Sequence, residues 1–186
     1  TGVPCLLVIA PRHPERFGAV AEKLLAGGYR TARRTVGEPC GDDTDVYLVD
    51  TMGELPSFFA ASDLAFVGGS LVPIGGHNLL EPAALGIPVL TGPHTFNAQD
   101  VADKLIGAGA AVEVADEDAL ADAVVSLLGD PARRAAMGSA ARRIVEENRG
   151  AVASLLALVE PLVPAAGDTS PAGRRRAGRD GDAATR

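Results

Sequence analysis

The chain has 186 residues, 47% of them hydrophobic, enough for one domain with a sizeable core and little beyond it. Asp and Glu (24) outnumber Lys and Arg (17), and the formal charge of -7 argues against a nucleic-acid surface. Aromatics make up only 4% and Trp is absent, whereas there are 22 glycines, a bias that suits small-residue helices packed on a sheet. No apolar stretch approaches the ~20 residues of a membrane span. The two cysteines lack any metal or redox spacing. Cys5 lies in an apolar run and reads as a buried small hydrophobe, Cys40 lies in a loop, and a reducing cytosol is the default. The chain opens on Thr1 and enters a strand-like run within a few residues, as expected of a segment cut from a longer protein.

Residues 5–10 (CLLVIA) form a continuous apolar run between Pro4 and Pro11, predicting a strand buried on both faces. Phe17, Val20, Leu24 and Leu25 have helical spacing, which Gly27 and Gly28 end. Residues 29–35 (YRTARRT) predict a more polar strand near an edge, and 37–44 a loop. A strand at 45–50 (DVYLVD), a short helix at 54–62 and a strand at 63–67 follow. Beyond a Gly-rich loop come a helix over 77–85, a strand at 88–90, a helix over 98–107 and a strand at 111–114. Helices over 117–129 and 131–148 close the pattern, with a further apolar helix at 151–162. Such alternation predicts an α/β, Rossmann-like, doubly wound and mostly parallel sheet. The domain is expected to span 1–163. The tail 164–186 has no apolar periodicity and should be disordered. Its Arg174, Arg175 and Arg176 are either solvated or in contact with anionic lipid headgroups.

The unusual polar residues all fall in loops after strands: residues 11–17 (PRHPERF), 50–54 (DTMGE) and 68–82 (GGSLVPIGGHNLLEP). In a parallel sheet these loops share the carboxyl-end rim, where ligands bind. Gly75 and Gly76 before a helix allow a tight turn and close approach of a ligand to the backbone. The helix start offers unpaired N–H groups as an anion site, with His77 or Asn78 as N-cap. Glu81, in the first turn ahead of Pro82, either compensates the helix dipole or accepts the hydroxyls of a ribose. Glu54 either belongs to an ordinary strand–turn–helix junction or faces a ligand. Arg12 either pairs a structural carboxylate or presents its planar fork to a phosphate or carboxylate. His13, His77 and His94 have no metal-ligand spacing, so no metal site is expected. GxSxG, GxxxxGK and GxGxxG are all missing, which leaves hydrolase, NTPase and dehydrogenase readings without carriers.

The run GGSLVPIGGHNLLEPAALGIPVLTGPHTFN (68–97), with PRHPERF and TMGEL (51–55), resembles the 3-deoxy-D-manno-octulosonic acid (Kdo) transferases. Its stretch EPAALGIPV (81–89) is similar to the broader signature of GT-B glycosyltransferases. The resemblance covers nearly all of 1–160 and implies the C-terminal half of a GT-B fold, which holds the donor CMP-Kdo. It implies CMP contacts at Pro11, Arg12, Met52, Gly53, Glu54, Asn78, Leu79, Leu80 and Glu81. In that reading Glu81 accepts from the ribose hydroxyls and amides near Gly53 and Asn78 face the phosphate. Arg12 steadies negative charge on the nucleotide or the departing CMP, without a metal or other cofactor.

The resemblance further implies inverting transfer of Kdo to a lipid A precursor during lipopolysaccharide synthesis, at the cytoplasmic face of the bacterial inner membrane. The general base and acceptor site belong to an N-terminal domain, so no catalytic residue is expected here, and the chain alone should bind nucleotide and transfer nothing. The rival readings are a UDP-sugar-dependent GT-B transferase or epimerase domain, which would not need PRHPERF or TMGEL, and a non-catalytic nucleotide-binding module. A receiver-like module would place acidic residues after its first strand, where this chain has Ala10, Pro11 and Arg12.

Overall fold

The computed structural model describes residues 4–150 and 157–162. Residues through Arg149 form one compact unit; of the second, Gly150–Arg186, a helical stretch at 157–159 and a 3-10 turn at Glu160–Leu162 are described. The first half of the helix expected at 151–162, residues 151–156, and the tail with its three arginines lie outside the described residues.

The strands are β1 (Leu7–Ile9), β2 (Thr31–Arg33), β3 (Val46–Leu48), β4 (Ala65–Val67), β5 (Val89–Thr91) and β6 (Ala111–Glu113). The helices are α1 (Phe17–Ala26), α2 (Leu55–Ala60), α3 (Leu80–Ala84), α4 (Gln99–Gly107), α5 (Glu117–Leu128) and α6 (Pro131–Asn148). A 3-10 turn at Pro14–Arg16 leads into α1, within a segment expected to be loop. Each strand lies inside, or within one residue of, the run expected from its apolar pattern.

All the ladders are parallel, but they fall into two sheets of three strands, in the orders β1-β3-β2 and β4-β5-β6. No ladder joins β1 to β4 among the described residues. The parallel α/β arrangement expected from alternation is present, divided between two sheets, because alternation predicts strand direction and cannot fix which strands are neighbours. As expected, β2 is an edge strand.

The second sheet is covered on both faces. Val67, Val89 and Ala111 point one way and meet Leu79, Ala83, Ala102, Leu105, Ala140 and Ala141 from α3, α4, α6 and the loop before α3. Phe66, Leu90 and Val112 point the other way and meet Leu120, Val124, Leu127 and Met137 from α5 and α6. Period-two alternation across matched registers produces these two cores. Each fully buried leucine, such as Leu90 or Leu105, contributes about 1.5–3 kcal/mol, which exceeds any single cap or exposed ion pair.

Helix ends are fixed by side chains that the sequence places there. Asp116 accepts from the Ala119 N–H (2.8 Å) at the start of α5, and Asp130 from the Arg133 N–H (2.9 Å) at the start of α6. Arg142 on α6 donates to the Leu85 carbonyl just past α3 (2.7 and 3.2 Å). Beside it Gly138 is buried against Gly86, so closely that a methyl group on Gly138 would run into the Gly86 carbonyl oxygen.

The first sheet is secured by charge at both ends of β2. Arg30 grips the exposed Asp45 through its backbone N–H and its guanidinium, and these hydrogen bonds hold the Asp45 pKa at about 2. At the other end Asp50, 4% exposed, accepts from the Thr35 N–H (2.8 Å), the Thr35 hydroxyl (2.6 Å) and the Arg33 guanidinium (2.7 and 2.9 Å). Burial pushes this carboxyl up, but the donors from Thr35 and Arg33 outweigh it and the pKa lies below the usual value.

Two expectations for β1 fail. Leu6 and Leu7 are 45% and 54% exposed, so the strand is not buried on both faces, and Cys5 is exposed rather than a core residue. The physical reason is cover: neither buried core cluster includes a residue of β1, and Leu6 and Val8 line a hollow instead. Cys5 and Cys40 are both free thiols.

Two outcomes follow for stability. Gly138→Ala forces the α6 backbone away from Gly86 and should cost about 1–3 kcal/mol, whereas Gly18→Ala, with open space around it in α1, should gain up to about 1 kcal/mol. Urea unfolding of the two variants checks the opposite signs. Because the folded pKa of Asp50 is depressed, its contribution is fully present above the unfolded value near ~4 and lost as pH falls through the lower folded value. Asp50→Asn should lower stability at pH 7 by about 1–3 kcal/mol and flatten the acid limb of a stability–pH curve.

Candidate nucleotide site

Parallel strands deliver the three singled-out loops to carboxyl ends, as expected. The loop after β1 carries Pro11, Arg12 and His13; the loop after β3 carries Thr51 to Glu54; the loop after β4 runs from Gly68 to Leu79. Across the two sheets, His77 reports the proximity of the first loop to the third. Its pKa is lowered, first by burial and then by the positive charge of Arg12 and of His13. Arg12 is exposed and makes no ion pair among the described residues, so its fork is free of a structural carboxylate. His13 stands 3.5 Å from Glu15 at the surface.

The third loop departs from expectation in where its helix begins. The helix expected over 77–85 starts only at Leu80, and neither His77 nor Asn78 is the N-cap. Instead Asn78 works from outside the helix: its side-chain oxygen accepts from the Leu80 N–H (3.0 Å) and its amide donates to Glu81 Oε1 (3.0 Å). Glu81 is exposed in the first turn, and its Oε2 has no hydrogen-bond partner among the described residues. With one oxygen held and the other open, this carboxylate is oriented as an acceptor.

Leu79 is 2% exposed and belongs to the core, so only its backbone is available to a ligand, whereas Leu80 is exposed. At α3 the anion site expected from a helix start is reduced, since Asn78 already occupies the Leu80 N–H and the helix has only five residues.

In the second loop Glu54 has partners within the fold. Its carboxylate receives the Arg34 guanidinium (2.8 and 3.2 Å) and the Thr51 hydroxyl, and these donors, Arg34 first, lower its pKa. Met52 is 63% exposed, and Gly53 has a φ of 84° that favours glycine. The residues flanking Glu54 therefore stay open while its charge is spent on holding β2 to β3. Thr51 lies within the TMGEL motif, but Arg34 is not a residue that the sequence singles out. The only signal was the pair of arginines ending the polar strand YRTARRT, which periodicity alone does not match to particular carboxylates.

A fourth loop, 92–97 after β5, closes the run 68–97 that carries the family resemblance. It lies alongside the third loop: the His94 N–H donates to the Ser70 carbonyl (2.9 Å), and the Asn97 N–H to the Gly75 carbonyl (3.1 Å). Apart from this rim, an apolar hollow of about 350 Å³ lies over one face of the first sheet, lined by residues including Leu6, Val8, Tyr47 and Phe58. It shares no residue with the rim loops. Among the described residues no three His, Cys, Asp or Glu side chains gather as a metal site, and no helix is long and apolar enough to cross a membrane.

Comparison with known proteins agrees with this geometry. The family described as "Glycosyl transferases group 1" matches residues 38–144. The chain is 46% identical over 157 residues to the 3-deoxy-D-manno-octulosonic acid transferase of Bordetella pertussis, covering 83% of this chain and 36% of the relative. It is 45% identical over 159 residues to that of Haemophilus influenzae, covering 85% and 37%. This chain thus spans little more than a third of the length of these relatives. Among solved structures it is similar to the C-terminal CMP-Kdo binding domain of WaaA from Acinetobacter baumannii, with a TM-score of 0.72 and 38% identity over 74% of this chain and 72% of that one. The chain belongs to the group 1 glycosyl transferases and, among them, to the 3-deoxy-D-manno-octulosonic acid transferases, as a counterpart of their C-terminal domain.

Proposed function

We propose that this chain is the donor-binding half of a transferase that moves Kdo from CMP-Kdo to a lipid A precursor in lipopolysaccharide synthesis. The observation that carries the reading is the rim itself: an Arg12 fork with no ion pair among the described residues on one loop, and a second loop that leads into the half-held Glu81 carboxylate. A cation and an oriented carboxylate on neighbouring loops match the two polar ends of a nucleoside monophosphate, phosphate and ribose.

In this reading Pro11 and Arg12 meet the phosphate, and Met52, Gly53 and the backbone of Glu54 line the nucleotide. Asn78, the Leu79 backbone, Leu80 and Glu81 meet the ribose. Arg12 offsets negative charge that grows on the departing CMP, a role in which it supplies electrostatic stabilisation without a metal or other cofactor. The transfer is inverting: a base on the N-terminal domain activates the acceptor hydroxyl for displacement at the anomeric carbon. The same domain receives the lipid A precursor at the cytoplasmic face of the inner membrane. Reaction needs both halves, since the reacting groups meet across the cleft between them.

Calorimetric titration tests nucleotide class: the chain should bind CMP in preference to UMP, and equal or tighter UMP binding would favour a UDP-sugar enzyme of the same fold. Glu81→Gln keeps the shape and removes the charge, so the fold should persist while CMP affinity drops about ten- to a hundredfold. Unchanged affinity in that variant would leave Glu81 as a helix-end charge only.

A further inference from the structure

The loop after β4 must hold an irregular shape, with Gly75 (φ 102°) and Gly76 (φ 74°) both in the left-handed region and both buried. Within it the Gly76 N–H donates to the Gly69 carbonyl (2.9 Å), but glycine-rich backbone has many competing conformations of similar energy. Something outside the loop has to select one, and the segment after β5 does so at two points. At the root, Ser70 is fully buried; its hydroxyl donates to the Val67 carbonyl (2.7 Å) and accepts from the Gly92 N–H (2.8 Å). At the tip, the Asn97 side-chain amide donates to the carbonyls of Ile74 (3.2 Å) and Gly76 (3.4 Å), while its own N–H donates to the Gly75 carbonyl. The Asn97 amide and the Phe96 ring fill the space over Gly75, so closely that a methyl group there would overlap both.

We propose that Asn97 is a positioning residue for the donor site: it clasps residues 74–76 and so fixes the chain that continues through His77 and Asn78 to Glu81. It need not touch the nucleotide. This inference rests on the donor-site reading above and adds to it a residue on a separate loop. Three carbonyls bonded by one residue is the specific feature. A serine or aspartate at 97 has no pair of amide hydrogens to divide between Ile74 and Gly76. Asn97 is itself exposed, so its removal leaves no buried cavity and the fold should survive.

The test has two arms on the full chain. In the ligand-free protein, Asn97→Ala should raise amide hydrogen exchange at Gly76 about tenfold, the loss expected when about one net hydrogen bond stops holding the loop. With CMP as probe, Asn97→Ala should weaken binding roughly three- to tenfold, with a melting temperature close to the parent's. In the Asn97→Ala background the further loss from Glu81→Gln should shrink, because Glu81 is already displaced. A residue with a merely structural role would give additive losses instead. Unchanged Gly76 exchange, unchanged affinity or strictly additive losses would each overturn the proposal. If Asn97→Ala does not fold, Asn97→Asp, which sets a carboxylate oxygen against two carbonyls, must show the same faster exchange and the same coupling. Absence of CMP binding in the parent would sink the donor-site reading, while the exchange arm would still decide whether Asn97 holds the loop.

Discussion

Strands β1 to β6 all pair in parallel, and this single constraint organises the rest of the unit. A parallel strand ends where its neighbours end, so each loop that follows a strand arrives on the same side as the loops beside it. Return connections are displaced to the faces, where α3 to α6 bury the second sheet between two apolar layers. Irregular, glycine-rich backbone can therefore gather at the carboxyl ends without opening the core. The lowering of the His77 pKa, first by burial and then by Arg12 and His13, accords with this gathering, since these residues lie more than sixty positions apart in sequence and follow strands of different sheets.

Carboxylates on and near that rim divide by what surrounds them. Asp50 is buried and surrounded by donors from Thr35 and Arg33, and Glu54 is claimed by Arg34 and Thr51. Both tie β2 to the end of β3 and are committed to the fold. Glu81 is exposed, is touched on one oxygen by a neutral amide, and keeps the other open. Glu54 already has a cationic partner in Arg34, whereas Glu81 has only a neutral amide as partner among the described residues. The difference in partners separates Glu81 from the other two more sharply than their similar places in the sequence.

The same loop joins site and core. Leu79 is sunk among Ala83, Val89 and Leu105, and its neighbours Asn78 and Leu80 stand at the surface. Core packing therefore anchors the middle of the site segment, while the polar residues beside it stay available. At the far end of α3, Arg142 and the close pair Gly86 and Gly138 fix the helix against α6. Small residues at that crossing let two backbones approach where larger ones would hold them apart.

Sequence by itself determined the parts of this protein that depend on local periodicity and on a continuous motif. Apolar runs located five of the six strands and a more polar run located β2, helical patterning located the long helices, and the stretches PRHPERF, TMGEL and GGHNLLEP marked the loops and the family resemblance. Tertiary structure alone decided which strands are neighbours, and which are covered, so that CLLVIA stays outside both buried clusters and leaves Cys5 in the open. It also decided that Glu54 belongs to Arg34, that α3 begins three residues late, and that the loop ending in Asn97 lies over Gly75. The reason is common to all of these. Periodicity records which side of an element faces the core, a property of neighbours along the chain, whereas strand order and charge pairing are set between residues that only folding brings together.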